Sequence, residues 1–182
     1  MIVAATQLDA AAEAYVGEVV ELIGRVAEVR GAYVLGSGLL GGFDPATSDI
    51  DLVVVVPRGL TQDEKAELAG LVAELPVPAR KLELVVYTVG AKPPHYELNF
   101  PDGDGEAPHW FVIDAAVAQA HATPFAGAEW GDLIAPVPED EVRAAIEQEQ
   151  NEPDDPNAVR ARRYLEEGIW ISKAEARKEA GR

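Results

Sequence analysis

Apolar residues near the start of the chain recur at intervals of three and four, which predicts an amphipathic helix over residues 9–30. Glutamates and an arginine fall between the apolar positions, as on a helix with one buried face. Gly31 is predicted to end this helix, because glycine readily adopts the left-handed conformation at a helix C-terminus. The short apolar segment 32–35 that follows predicts the first strand.

The clearest strand signal is Ile50–Val56, an apolar run that Pro57 ends. Its residues are apolar on both faces, so we expect layers to cover both sides of the sheet. Thr61 and Glu64 then have the spacing of a capping box at the start of a helix, and residues 82–89 predict a further strand. Because two strands separated by a helix are typical of a βαβ unit, the first hundred residues indicate an α/β fold with a mixed sheet.

The second half of the chain changes to a helical pattern. The predicted helices cover residues 110–121, 139–150 and 156–167, and another begins at Ser172. Pro156 suits the first position of its helix, with Asp155 as the cap. We therefore predict an α/β (α+β) chain with two parts. Residues 1–108 form a mixed sheet with flanking helices, and residues 109–182 form a short helical region.

Composition narrows the possible partners. The 182 residues include no cysteine, and 32 acidic residues against 15 basic ones give a net charge of −17. An acidic field repels phosphate backbones, so we expect no nucleic-acid partner, whereas a small polycation would be attracted. The alternative is an acidic surface that serves only solubility. No apolar run reaches the roughly 20 residues that span a bilayer, which predicts a cytoplasmic protein of undetermined oligomeric state.

Two acids at the start of the clearest strand indicate a metal site. Asp49 and Asp51 alternate with Ile50, so on a strand both carboxylates emerge on the same face. Ionised carboxylates this close repel each other unless a cation lies between them, and hard oxygen ligands suit magnesium. Upstream, Gly36 lets the backbone turn tightly, and the hydroxyl of Ser37 can donate to phosphate oxygens.

Glu83 is the one acid in an otherwise apolar strand, where an isolated carboxylate is costly unless it is paired or binds a metal. If this strand lies beside the strand of Asp51, the acids form one cluster. Such a cluster suits phosphoryl-type transfer with two magnesium ions about 3.5–4 Å apart, and Glu83 can also accept the proton of the attacking hydroxyl. An Asp-x-Asp pair alone would be read as a solvated strand start.

Residues 36–53 read Gly-Ser-Gly-Leu-Leu-Gly-Gly-Phe-Asp-Pro-Ala-Thr-Ser-Asp-Ile-Asp-Leu-Val. This segment resembles the signature of the DNA-polymerase-β-like nucleotidyltransferases. More narrowly, it is similar to the aminoglycoside adenylyltransferases of the streptomycin/spectinomycin type. The likeness continues through the segments 82–86, 96–100, 113–116, 134–138 and 164–176. Members of the family continue through more helices beyond the position of Arg182.

The resemblance implies a role for each matching residue. Asp49, Asp51 and Glu83 would bind two magnesium ions, with Glu83 as the catalytic base. Gly36, Ser37, Ser48 and Lys173 would hold the triphosphate of ATP, the nucleotide donor, whereas Asp154 and Glu97 are candidates for contact with an aminoglycoside. The implied activity is transfer of AMP from ATP to a hydroxyl of an aminoglycoside-like molecule, which is the chemistry of antibiotic resistance.

Two other interpretations remain open at this point. One keeps the chemistry and makes a protein hydroxyl the acceptor, as in minimal nucleotidyltransferases that act as antitoxins. The other is a non-catalytic chain that only binds a nucleotide or a partner. Three arginines, Arg160, Arg162 and Arg163, are predicted to form a solvated helix face from which one could reach phosphate.

Overall fold

The computed structural model describes residues 6–103, 108–149 and 155–181. In these ranges the helices are α1 (Ala10–Val26), α2 (Gly36–Leu40), α3 (Gln62–Ala73), α4 (Pro108–His121), α5 (Trp130–Leu133), α6 (Glu139–Glu149), α7 (Pro156–Glu167) and α8 (Lys173–Glu179). The strands are β1 (Gly31–Val34), β2 (Ile50–Val56), β3 (Leu82–Thr88), β4 (Leu98–Phe100) and β5 (Ala126–Gly127).

The strands form one mixed sheet in the order β4-β3-β2-β1-β5. Strands β2 and β3 run parallel and are joined through α3, whereas the other three pairings are antiparallel. The α/β fold with a mixed sheet is therefore confirmed, including the βαβ unit that the sequence predicts. This unit determines where the acids lie, because neighbouring parallel strands begin at the same edge of the sheet.

Strand β2 is buried on both of its faces, as its continuous apolar run predicts. Ile50, Leu52 and Val54 pack in one core with α1 and α3. Val53 and Val55 face the second core, to which α4 and α6 contribute. Two helical layers therefore enclose the sheet and hold its central strands in place.

The helix starts follow the sequence signals closely. The side chain of Asp9 caps α1, and Thr61 and Glu64 form the complete capping box at α3. The side chain of Asp155 accepts a hydrogen bond of 2.7 Å from the backbone N–H of Asn157, so α7 begins at Pro156 as predicted. These signals act within one turn of the helix, which is why the sequence alone reveals them.

The predicted end of α1 at Gly31 is wrong. The helix ends at Val26, and Gly31 instead begins β1. A Cβ atom on residue 31 would lie 2.6 Å from the Tyr33 hydroxyl oxygen and 2.7 Å from Leu133 Cδ1. Glycine is therefore needed at this position for close packing and not for a helix cap.

Strands β4 and β5, of three and two residues, and the single-turn helix α5 were not predicted, because segments this short show no periodic pattern. Strand β5 lies beyond residue 108 yet pairs with β1 through Gly31 and Gly127. The division into residues 1–108 and 109–182 stays a prediction. None of the described helices is both long enough and apolar enough to cross a bilayer.

Candidate active site

The parallel register of β2 and β3 places Asp51 directly opposite Glu83. Asp49 lies just before β2, and all three acids border a cleft of about 400 Å³. The cleft also contains the other residues that the family resemblance assigns to ATP, namely Gly36, Ser37, Ser48 and Lys173. The structure thus brings together seven predicted residues from three separate parts of the chain.

Asp51 is the most strongly perturbed acid in the cleft. Burial raises its pKa well above the ordinary aspartate value of 3.8, and the neighbouring Glu83 raises it further. Asp114 on α4 acts in the same direction, while the ammonium of Lys173 partly opposes these effects. A carboxylate in such surroundings is stabilised in its ionised form by a bound cation.

Two basic residues between α3 and β3 pair with the other two acids. The guanidinium of Arg80 donates through Nε to Asp49 Oδ1 at 2.7 Å and through a second nitrogen to Asp49 Oδ2. The ammonium of Lys81 lies 2.6 Å from Glu83 Oε1 and 3.5 Å from Asp102 Oδ2. The pKa of Arg80 is raised chiefly by Asp49, and that of Lys81 chiefly by Glu83.

The small residues after β1 leave space for the acid of β2. Gly36 has φ of 54°, and a Cβ atom built on it would lie 1.8 Å from Asp51 Oδ2. Only glycine fits here, because any side chain would strike the carboxylate. Ser37 follows in the first turn of α2, and the Ser48 hydroxyl accepts a hydrogen bond of 3.1 Å from the backbone N–H of Asp44.

Basic residues enter the cleft from helices α7 and α8. Ser172 caps α8 through a complete capping box with Glu175, which fixes Lys173 at the first helical position. Arg160 on α7 donates through Nε to the backbone oxygen of Ile171 at 2.9 Å and so ties the two helices together. Burial lowers the pKa of Arg160, while Asp114 and Asp51 raise it. Arg160 and Arg177 also line the cleft.

The side chains fit magnesium chemically, although they do not form a ready metal cage. Within residues 6–103, 108–149 and 155–181, no three acidic or histidine side chains are already arranged around one position. Asp49 and Glu83 are instead held by Arg80 and Lys81. The donor set consists of carboxylate oxygens, and Gly36 keeps the space before Asp51 Oδ2 free of side chain, so a hard divalent cation suits the site.

Of the two residues predicted to contact an acceptor, only Glu97 lies among the described residues. Glu97 accepts a hydrogen bond of 3.1 Å from the backbone N–H of Leu60 and lies 3.3 Å from the Lys65 ammonium. The first contact ties it to the segment between β2 and α3 and the second to α3 itself, and it does not line the cleft. Asp154 lies outside the described residues.

Several charged residues in the cleft or in the small pocket beside it have no distinctive sequence signal. Arg80 and Asp114 look like ordinary surface charges in the sequence, and Arg160 shares its segment with two other arginines. Arg162 is exposed and Arg163 contacts Glu179 at 3.2 Å, so Arg160 is the member of this group that reaches the cleft. Its neighbours in sequence, Val159 and Ala161, are both buried, and this apolar setting is the signal that could have distinguished it from Arg162 and Arg163.

Comparisons with known proteins show a similar domain and a similar fold. Residues 16–90 match the family model of the nucleotidyltransferase domain. The structure is similar to spectinomycin adenyltransferase AAD(9) from Enterococcus faecialis, solved with ATP and spectinomycin. The two chains are 22% identical with a TM-score of 0.68, and the match covers 90% of this chain and 78% of that one.

A second solved structure, a tri-AMPylated Shewanella oneidensis HEPN toxin in complex with MNT antitoxin, is 15% identical. That match covers 81% of this chain and 93% of the other, with a TM-score of 0.38, which is too low to indicate a shared fold. No curated protein matches the sequence at a significant level. The predicted likeness to aminoglycoside adenylyltransferases is confirmed at the level of fold, and the match to the nucleotidyltransferase domain model is confined to residues 16–90.

Proposed function

We propose that this chain is a magnesium-dependent adenylyltransferase that moves AMP from ATP to a hydroxyl of a small polycationic acceptor of the aminoglycoside class. The observation that carries the proposal is that acidic side chains line one side of the cleft and basic side chains the other. Asp49, Asp51 and Glu83 come from the edge of the sheet, while Lys173 and Arg160 come from the helices. Acids for metal ions and bases for phosphates are the two components that such a transfer needs.

On this proposal the two predicted parts of the chain have different tasks. Residues 1–108 supply the metal-binding acids, and residues 109–182 supply the helices that carry the cations. Lys173, fixed by the cap at Ser172, and Arg160, fixed by its bond to Ile171, would hold the triphosphate together with the hydroxyls of Ser37 and Ser48. Positioning of the phosphates contributes much of the rate in reactions of this class.

The chemical step requires one proton transfer and no covalent intermediate on the protein. The acceptor oxygen bonds to the α-phosphorus, the bond from that phosphorus to the β-bridging oxygen breaks, and pyrophosphate leaves. Glu83, opposite Asp51 on the adjacent strand, accepts the proton of the acceptor hydroxyl. Two magnesium ions held by Asp49, Asp51 and Glu83 would polarise the phosphate and hydroxyl oxygens.

The charge of the molecule favours a cationic acceptor. The net charge of −17 attracts polycations, and Asp114 on α4 lines a small pocket that adjoins the cleft at Asp51 and Glu83. The related AAD(9) was solved with spectinomycin. These two facts support an amine-bearing small molecule as the substrate class.

Calorimetry with ATP in the presence of magnesium tests donor binding, and product analysis with spectinomycin and streptomycin tests transfer. We expect AMP attached to one of these acceptors and one pyrophosphate released for each product formed. Nucleotide binding without turnover on either compound would contradict the acceptor assignment. Turnover only on a protein hydroxyl would replace the small-molecule acceptor with a protein substrate.

A further inference from the structure

We propose that Arg80 changes partners when the donor binds: it holds Asp49 while the metal is absent and moves to the triphosphate when a divalent ion takes Asp49. This inference rests on the proposed function, because it concerns the same cleft and the same nucleotide. It gives a role to a residue that neither the sequence motif nor the family match singles out.

The pairing of Arg80 with Asp49 leaves no carboxylate oxygen of Asp49 unused. Nε of Arg80 donates to Oδ1 at 2.7 Å, and a terminal nitrogen donates to Oδ2. A bidentate pair of this kind has both oxygens facing the guanidinium. A metal ion that binds Asp49 therefore competes with Arg80 for the same two oxygens.

The side chain of Arg80 can move while its backbone stays in place. Its backbone N–H donates to the oxygen of Ser48 at 3.1 Å, and the next residue accepts from the N–H of Ile50 at 2.9 Å. The side chain itself is 60% exposed. Only rotamer changes are then needed to turn the guanidinium within the cleft.

The cleft offers the displaced guanidinium an anionic partner once a nucleotide is bound. Arg80 lines the same cleft as Ser37, Ser48 and Lys173, the residues proposed to hold the triphosphate. Guanidinium groups bind phosphate oxygens in the same forked geometry that they use with carboxylates. Arrival of the metal replaces the positive charge beside Asp49 at the moment when Arg80 leaves it.

The neighbouring basic residue, Lys81, already lies near two acids. Its ammonium lies 2.6 Å from Glu83 Oε1 and has a second acid, Asp102, at 3.5 Å. For Arg80, the other acids that act on its pKa are Glu83 and Asp51, which are themselves proposed metal ligands. Once metal occupies those acids, a bound triphosphate is the remaining strong acceptor within the cleft.

A matched control exists in the same chain. Arg58 pairs with Glu64 at 2.6 Å, its side chain is 58% exposed, and it does not line the cleft. Arg58→Ala therefore removes an equally exposed guanidinium and an equivalent ion pair without touching the site. Arg80→Lys serves as a second comparison, because lysine keeps the charge but lacks the fork.

The experiment measures two affinities in the full chain and in Arg80→Ala, Arg80→Lys and Arg58→Ala. The first is for Mn²⁺ alone, by electron paramagnetic resonance, and the second is for the α,β-methylene analogue of ATP at saturating Mn²⁺, by calorimetry. For Arg80→Ala we expect about threefold tighter Mn²⁺ binding and about tenfold weaker nucleotide binding. Arg80→Lys should bind Mn²⁺ more tightly than the unchanged protein and lose less nucleotide affinity, and Arg58→Ala should change neither.

Tighter Mn²⁺ binding together with weaker nucleotide binding in Arg80→Ala supports the exchange of partners. Unchanged Mn²⁺ affinity in Arg80→Ala would overturn it, since Arg80 would then not compete with metal for Asp49. Unchanged nucleotide affinity in Arg80→Ala would also overturn it, because Arg80 would then compete with the metal for Asp49 but would not contact the triphosphate. Arg80→Lys matching the unchanged protein in both affinities would overturn the proposed forked contacts, since a single positive charge would then be sufficient. If the unchanged protein binds no nucleotide with Mn²⁺, the proposed function fails as well.

Discussion

The two walls of the cleft are built in different ways. The acidic wall lies on adjacent parallel strands, where a register of seven residue pairs places Asp51 opposite Glu83. The basic wall comes from α7 and α8, which share a small buried cluster of Val159, Ile171 and Ala176. The first wall is held by the centre of the fold, and the second depends on the docking of a short helix at its surface.

This difference teaches that metal binding and nucleotide binding should be separable. Elements with few buried contacts open locally at lower free energy than the strands of a core. Movement of α8 would therefore remove Lys173 from the cleft while Asp49, Asp51 and Glu83 keep their positions. The predictions below test the two walls in turn, starting from the largest effect.

Removal of the charge of Asp51 should have the largest effect on activity. We expect Asp51→Asn to lower the rate of AMP transfer by about a thousandfold or more, because a metal ligand supplies several kcal/mol to the transition state. Steady-state product formation measures this rate. Asp63→Asn, an exposed position in the first turn of α3, is the control and should keep full activity. Equal activity in the two variants would remove Asp51 from the metal site.

The loss of the proposed base should have a smaller effect, mainly on the chemical step, because Asp49 and Asp51 remain to hold the metal ions. Glu83→Gln is expected to reduce kcat about a hundredfold, since general-base catalysis contributes about 10²–10⁴ in rate. Calorimetry with ATP should show little change in the nucleotide Kd. Glu67→Gln on the exposed side of α3 is the matched control. A Glu83→Gln variant with a normal kcat would need another proton acceptor.

Undocking α8 should weaken the basic wall alone. Ala176 is fully buried between α7 and α8, so Ala176→Glu should displace the helix and Lys173 with it. We expect ATP to bind about tenfold more weakly, because the loss of Lys173 removes one charge-assisted contact. Mn²⁺ binding should stay unchanged. Ala144→Glu at an exposed position of α6 is the same substitution outside the site. A parallel loss of Mn²⁺ affinity would show that the two walls are not independent.

The smallest expected effect is on stability as a function of pH. The pKa of Asp51 is raised in the folded protein, so its protonated form stabilises the fold fully below the ordinary value of 3.8. This contribution is lost as the pH rises through the higher folded pKa. The Tm of the metal-free protein should therefore fall, relative to Asp51→Asn, as the pH increases from 4. Each kcal/mol of unfolding free energy corresponds to a change in Tm of about 2–4 °C at this chain length. If the Tm of the unchanged protein and that of Asp51→Asn vary with pH in the same way, the raised pKa of Asp51 is contradicted.

Much of the acidic wall could be predicted from the sequence. The apolar run Ile50–Val56 and the capping box of Thr61 and Glu64 define the βαβ unit, and a parallel unit brings strand starts together. Asp51 and Glu83 were therefore predicted as neighbours. Each of these signals is either local or follows from a general rule of topology.

The sequence predicts less of the basic wall and of the ion pairs that hold the acids. The contact of Arg160 with Ile171 depends on how α7 meets α8, which periodicity does not specify. Arg80 is one of many charged residues in the chain, and its direction is set by the loop before β3. Gly31 illustrates the same point, because its neighbours Tyr33 and Leu133 become visible only in the fold. Long-range packing decides all three.

The sheet also ends in a way that bears on the behaviour of the protein at high concentration. Its outermost strands, β4 and β5, have only three and two residues. A long outer strand exposes a row of unpaired backbone groups to which another molecule can add, so short outer strands hinder aggregation by sheet extension. The strong negative charge, shared by every copy, acts in the same direction through mutual repulsion.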